Sequence, residues 1–366
     1  MGILRFILAI TVVIAHSSSV FGCNFVGAQI AVQAFYIISG FYMALILNEK
    51  YVGVNGSYKL FISNRFLRLY PIYWTVLLLT IAMSIAVTIH SNGSSIGQFT
   101  VYSKYFNVMS LGSFVFLIFT NLFLFLQDIV MFLGLNTTTG HLYYTSDFSQ
   151  TKPQLHHFLL IPQAWTIGVE IAFYLIAPFL VRKKFKYIIF FIVMSLLLRF
   201  VLSNYGLSND PWSYRFFPTE LVFFMLGIVS YQLYVKIRSL DINKVYLKTI
   251  WMFLLGITLF YDFMPLPYKY PVYLFLFFIG LPFVFILTKK WKYDTYIGEL
   301  SYPIYISHIF VMSCLYAFKI PIVLGLGFSL IIATILFSVL LNEVVTKKIE
   351  IFRQKRVKLI SNNKDQ

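Results

Sequence analysis

Apolar residues in this chain gather into long runs separated by short polar stretches, and about 20 consecutive apolar residues suffice to cross a bilayer as a helix. Ten such runs stand out, at about 3–22, 28–47, 67–89, 163–181, 187–203, 218–235, 249–265, 270–288, 299–318 and 322–343. The pattern therefore predicts an all-α polytopic integral membrane protein with ten transmembrane helices. An eleventh apolar stretch, about 114–135, breaks the count. Taken as a full span, it would put Arg182-Lys183-Lys184-Phe185-Lys186 and every later basic loop on the outer side. It is therefore expected to be re-entrant or interfacial. Non-helical backbone at membrane depth needs protein or water around it, so this stretch is expected to line a cavity. Residues 1–350 then form a single transmembrane domain, and 351–366 a basic, frayed cytoplasmic tail.

Composition agrees. Of the 366 residues 59% are hydrophobic and only 11% charged, against about a quarter charged in soluble domains. A soluble enzyme, a disordered chain and a nucleic-acid-binding domain are excluded. The net charge of +16 is explained by its placement: with the N-terminus inside, 23 of the 29 basic residues fall in inward-facing segments. This is the bias of inner loops. It puts both termini in the cytoplasm, and makes the lipid bilayer, not nucleic acid, the partner of the charge. A signal-peptide reading of the N-terminus is disfavoured, since Phe21 suits small-residue cleavage poorly. Cys23 and Cys314 form no CxxC pair, and no metal is expected. No feature sets an oligomeric state.

Ionisable groups inside a membrane are costly and mark functional sites by default. Arg5 and His16 lie eleven residues apart on the first span, so they share a face at a separation of about 16 Å. Arg5 falls at the inner mouth and His16 in the outer half. A neutral imidazole is the one common group able to take a hydroxyl proton near neutral pH. Arg65 and Arg68, at i and i+3, form a fork suited to phosphate. Glu170 lies within the block from Trp165 to Tyr174, at a depth near that expected for His16, so a His–carboxylate pair is geometrically open. Ser301, Tyr305 and His308 follow i, i+4, i+7 spacing and form one polar stripe, with Tyr302 beside it. The stripe serves equally to line a pore or to bond neighbouring helices. Ser39-Gly40 permits close helix approach, and Glu220 and Glu343 read as helix-packing groups.

Together these segments resemble the acyltransferase-3 family of bacterial integral-membrane O-acyltransferases, nearly end to end. The resemblance rests on Arg5-x10-His16, Phe35-Tyr-Ile-Ile-Ser-Gly-Phe41, Arg65-x-x-Arg68 with Tyr70-Pro71, Trp165-Thr-Ile-Gly-Val-Glu170 with Phe173-Tyr174, and Ser301-Tyr302-Pro-Ile-Tyr305 through His308. The chain departs from the pattern at Ile171, where a second Glu is common, and no SGNH-type hydrolase domain is appended. The resemblance implies a multi-pass protein of the bacterial inner membrane. It would transfer an acyl group, usually acetyl, from cytoplasmic acyl-CoA to a hydroxyl of a cell-surface glycan or lipid-linked sugar, O-antigen polysaccharide among them. No permanently bound cofactor is implied, and acetyl-CoA acts as co-substrate. On that basis Arg65, Arg68 and Arg5 are expected to hold the CoA phosphates. His16 acts as general base, with Glu170 fixing its tautomer. Trp165, Tyr174, Ser301, Tyr302, Tyr305 and His308 line the substrate path. The rival is a carrier or channel that uses the same polar groups without making a bond.

Overall fold

The computed structural model describes residues 1–52, 56–93, 97–322 and 325–362. Its α-helices, in chain order, are α1 Gly2–Ala15, α2 Gly27–Glu49, α3 Tyr58–His90, α4 Thr100–Tyr105, α5 Leu111–Phe123, α6 Trp165–Leu180 and α7 Phe185–Asn204, then α8 Phe217–Ile237, α9 Lys244–Leu259, α10 Lys269–Thr288, α11 Lys292–Glu299, α12 Ser301–Ala317, α13 Leu326–Leu341 and α14 Lys347–Asn362. A two-stranded antiparallel hairpin, β1 Leu133–Leu135 with β2 Leu142–Tyr144, lies between α5 and α6. Eight helical stretches among the described residues are long and apolar enough to cross a membrane. The protein is thus an all-α polytopic membrane protein.

The first span is shorter than its apolar run. α1 ends at Ala15, because the serine run that follows bonds to backbone: the Ser17 hydroxyl donates to the carbonyls of Val13 and Ile14. Phe21 and Gly22 then take positive φ and turn the chain. His16 consequently caps α1 rather than lying within it.

The stretch 114–135 is not one continuous helix. α5 has 13 residues, about 20 Å. Its last carbonyls are taken up by α3: the Tyr70 hydroxyl donates to the carbonyl of Phe123, Tyr73 to that of Asn121, and the Trp74 indole N–H to that of Leu122 at 2.8 Å. These carbonyls are satisfied by protein, and no residue of this stretch lines the 390 Å³ cavity described below.

At the centre α2 packs against α8. A Cβ on Gly40 would sit 2.0 Å from the Phe224 carbonyl oxygen, and one on Gly227 2.1 Å from that of Ile37. Only glycine permits this crossing, which sets Ser39 facing away from α8. Beside it Glu220 is a packing group as expected: fully buried, it pairs with Arg199 and accepts from Gln33, whose amide oxygen accepts from Tyr270 at 2.6 Å.

The described part of the tail is helical and docked rather than frayed. α14 continues the chain after a π-turn over Asn342–Thr346, and Arg356 donates to Ser63 Oγ at 2.9 Å and Asn64 Oδ1 at 3.1 Å on α3. Residues 363–366 lie outside the described residues.

Candidate functional site

A cavity of about 390 Å³ occupies one end of the bundle and reaches toward its middle, within the ~300–1,000 Å³ span of small-molecule sites. Its walls bring together Arg5 of α1, Ser39 and Tyr42 of α2, Arg65 and Arg68 of α3, Thr166, Glu170 and Tyr174 of α6, and Ser301, Tyr302 and Tyr305 of α12. Residues from five helices, predicted separately, therefore meet in one place.

α1 is anchored by α11, which fixes Arg5. The Asp294 carboxylate accepts from the amides of Gly2 and Ile3 at 2.7 and 3.0 Å, and from the Met1 amine at 2.7 Å. A helix N-terminus leaves such amides without partners; here a buried aspartate takes them. The Arg5 guanidinium then lies 5.8 Å from the Tyr42 ring centroid.

The guanidiniums divide into two groups. Arg199, Arg215, Arg238 and Arg353 each pair with a carboxylate. Arg182 donates to the carbonyls of Leu47 and Tyr51, and Arg356 to α3. Arg5, Arg65 and Arg68, the three that line the cavity, form no ion pair among the described residues. Arg65 is 8% exposed, lies about 6 Å from the ring centroids of Phe61 and Tyr174, and its Nε has no hydrogen-bond partner. A buried, unpaired cation is expensive, and an anionic ligand relieves that expense.

Glu170 belongs to this cavity and not to His16. Its Oε1 accepts from Ser39 Oγ at 2.6 Å and from the Tyr174 hydroxyl. The His16–Glu170 pair expected from equal depths is not formed, because α1 ends early and leaves His16 at the helix end while Glu170 sits five residues into α6. Serine 39, read from sequence as packing only, is thus the group that holds the carboxylate; Ser39 beside Gly40 was the available signal.

At its inner limit the cavity meets Tyr305, whose hydroxyl donates to the Gln163 carbonyl at 2.9 Å and accepts from Thr166 Oγ1 at 2.8 Å. Phe35 packs edge-on against it at 6.4 Å. Next to Tyr305 stands His308, its ring 6.2 Å away, and then His16, 5.0 Å from His308; neither imidazole lines the cavity. His308 is fully buried; His16 is exposed. The two rings are tilted by 55° but share one hydrogen-bond pattern. A carbonyl only accepts, so Nδ1–H of His16 donates to the Val12 carbonyl at 2.9 Å and Nδ1–H of His308 to that of Tyr305 at 2.7 Å. In each, Nε2 is left with its lone pair, and that of His308 has no partner. The carbonyl of Val12 does the orienting expected of Glu170.

Of the remaining predicted residues, Ser301 and Tyr302 line the cavity, bonded to the carbonyls of Gly298 and Leu69. His308 lies just past its end. Trp165 does not line it: the indole is buried beneath Arg215, whose guanidinium stands 4.3 Å from its ring and pairs twice with Asp210.

The family model described as an acyltransferase domain matches residues 1–343. An uncharacterized protein of Aquifex aeolicus (strain VF5) is 27% identical over 157 residues, 40% of this chain and 68% of that protein. No solved structure matches the chain.

Proposed function

We propose that this chain, which belongs to the acyltransferase-3 family, moves an acyl group, most simply acetyl, from cytoplasmic acyl-CoA to a hydroxyl of a glycan or lipid-linked sugar at the opposite membrane face. The observation that carries the donor half is the trio of cavity arginines without ion pairs: guanidiniums are bidentate phosphate binders, and a CoA carries several phosphates. In this reading the protein is a multi-pass resident of a bacterial inner membrane. It has ten crossings, α1 and α9 among them despite their length, and both termini lie in the cytoplasm beside the arginines.

The chemistry follows from the imidazoles. The acceptor hydroxyl docks at His16, whose Nε2 removes its proton as the oxygen attacks the thioester carbonyl. The tetrahedral oxyanion collapses by breaking the C–S bond, and the imidazolium returns its proton to the departing thiolate. His308, 5.0 Å away with a free Nε2, stands where it can share the proton. The Tyr305 hydroxyl lies where it can donate to the oxyanion once it leaves the Gln163 carbonyl. Glu170 holds Ser39 and Tyr174 in the donor channel.

The test uses proteoliposomes loaded with labelled acetyl-CoA and supplied with glycolipid outside. Label should reach the glycolipid, and His16→Ala should lower turnover by about 10²–10⁴-fold, the range for loss of a general base, with acetyl-CoA binding intact. Retained turnover sinks the base assignment; transport of glycolipid without labelling sinks the enzyme reading.

A further inference from the structure

The match to the family ends at residue 343, yet the chain continues as α14 and folds back on the first half of α3. The π-turn over Asn342–Thr346 re-aims the chain after α13, and Arg356 bonds Ser63 and Asn64, the two residues before Arg65. This docking buries Arg353: it is 6% exposed, and its Nε has no hydrogen-bond partner. It shares a cleft of about 40 Å³ with Arg68, Tyr302, Glu299 and Glu350. Arg68, Tyr302 and Glu299 also face the main cavity, so the cleft holding Arg353 adjoins it through these shared residues. Three guanidiniums, those of Arg65, Arg68 and Arg353, therefore converge where two helices cross. Only Arg353 has a carboxylate partner, Glu350.

We propose that Arg353 of the C-terminal helix is a fourth cationic residue of the anion site, completing with Arg65 and Arg68 a seat for the phosphates of the nucleotide donor. The inference rests on the acyl-CoA reading above and extends it to a segment outside the matched domain. Like charges brought together away from water repel, and the repulsion grows as the dielectric falls. A surface helix that needed only to dock has no reason to bury a third guanidinium against two others. An anion seated among them turns that repulsion into attraction, and Nε of Arg65 and Nε of Arg353 are donors left over for it. Glu350 in this account is a placeholder that holds Arg353 until the donor arrives.

The account is separable from a merely structural role, in which the Glu350–Arg353 pair clamps α14 in place. The full chain is placed in nanodiscs of neutral lipid, and equilibrium binding of acetyl-CoA is measured for wild type, Arg353→Gln and Glu350→Gln. Arg353→Gln should weaken binding about tenfold or more, the worth of one charge-assisted hydrogen bond. Glu350→Gln should tighten binding, since it removes the competing carboxylate. A clamp predicts losses of equal sign in both variants, and that result overturns the proposal, as does unaltered binding by Arg353→Gln. Should Arg353→Gln not fold, the sign for Glu350→Gln decides alone. If wild type binds no acetyl-CoA, the donor reading itself falls; if it binds and neither variant changes it, only the role of α14 does. Repeating the titration with anionic lipid in the discs tells a lipid phosphate from the donor: competition by lipid that Arg353→Gln abolishes assigns the seat to headgroups and overturns the nucleotide.

Discussion

Replacing Arg65 by Gln tests the donor site most directly, because two quantities should move in opposite ways. Arg65 is 8% exposed, has no ion pair among the described residues, and leaves Nε without a partner. In the empty protein its charge is held mainly by the faces of Phe61 and Tyr174, each worth about 0.5–2 kcal/mol. Removing the charge forfeits those contacts and relieves the burial of an unpaired cation, which costs several kcal/mol in real proteins. The empty variant should therefore melt at or above the wild-type temperature. With donor bound the balance reverses. A hydrogen bond to a charged phosphate is worth about 1.5–3 kcal/mol, or about 10–150-fold in affinity. Initial rates against acetyl-CoA concentration should show KM raised by that factor with kcat within about threefold, as expected for an interaction made equally in ground and transition states. An unchanged KM accompanied by a lower melting temperature would refute the reasoning, since it would make Arg65 a structural cation and leave the cavity without an anion.

Three further outcomes follow from the geometry. Tyr305→Phe keeps the ring but deletes the bonds to Thr166 and the Gln163 carbonyl, a loss of about 1–3 kcal/mol; hydrolysis of acetyl-CoA without acceptor should rise several-fold, and an unchanged hydrolysis rate would show that this residue closes nothing. Gly227→Ala places a Cβ 2.1 Å from the Ile37 carbonyl oxygen, so α2 and α8 must part, and overpacking of this kind costs about 1–3 kcal/mol or more; a melting temperature equal to wild type would contradict the crossing. His156, in the loop before α6, is pushed down to about 4 by burial, by His157 and by Arg215. Its stability contribution is complete above the unfolded value near 6.5 and is lost as pH falls from there toward 4. The melting temperature should decline over that window, and less steeply in His156→Asn; equal slopes would remove the assignment.

What the sequence made legible was periodic or covalent in kind. Apolar runs marked most of the long helices. The spacings Arg65-x-x-Arg68 and Ser301–Tyr305 placed side chains correctly on the cavity wall, because helical geometry alone decides which residues share a face. What it concealed was set by where helices end and how they cross. The early stop of α1 moved His16 past the depth at which Glu170 lies, and hydropathy does not register a stop made by serines bonding their own backbone. One partner of Glu170 is Ser39, 131 residues earlier on α2, a contact made only in the assembled bundle. Arg353 fell within the segment read as a basic tail for the same reason: tertiary docking buried it.

The closed state of Tyr305 bears on why the two ends of the site are kept apart. His16 is exposed at the end of α1, and in the proposed reaction a thioester held beside a water-accessible imidazole would be a substrate for hydrolysis. Excluding water from reactive groups until both substrates are present is a recognised use of closure. Tyr305, Thr166 and Phe35 stand between the arginine-lined cavity, the donor site of the proposed reaction, and the imidazole pair, where that reaction would deprotonate its acceptor. The hydrogen bonds that hold Tyr305 shut are two ordinary ones, modest enough for substrate binding energy to break. A hydroxyl freed from Gln163 is then turned toward the carbonyl it must polarise. On this reasoning the same tyrosine that keeps water from the thioester becomes an oxyanion donor only when the path is open, so protection and catalysis cannot both be in force at once.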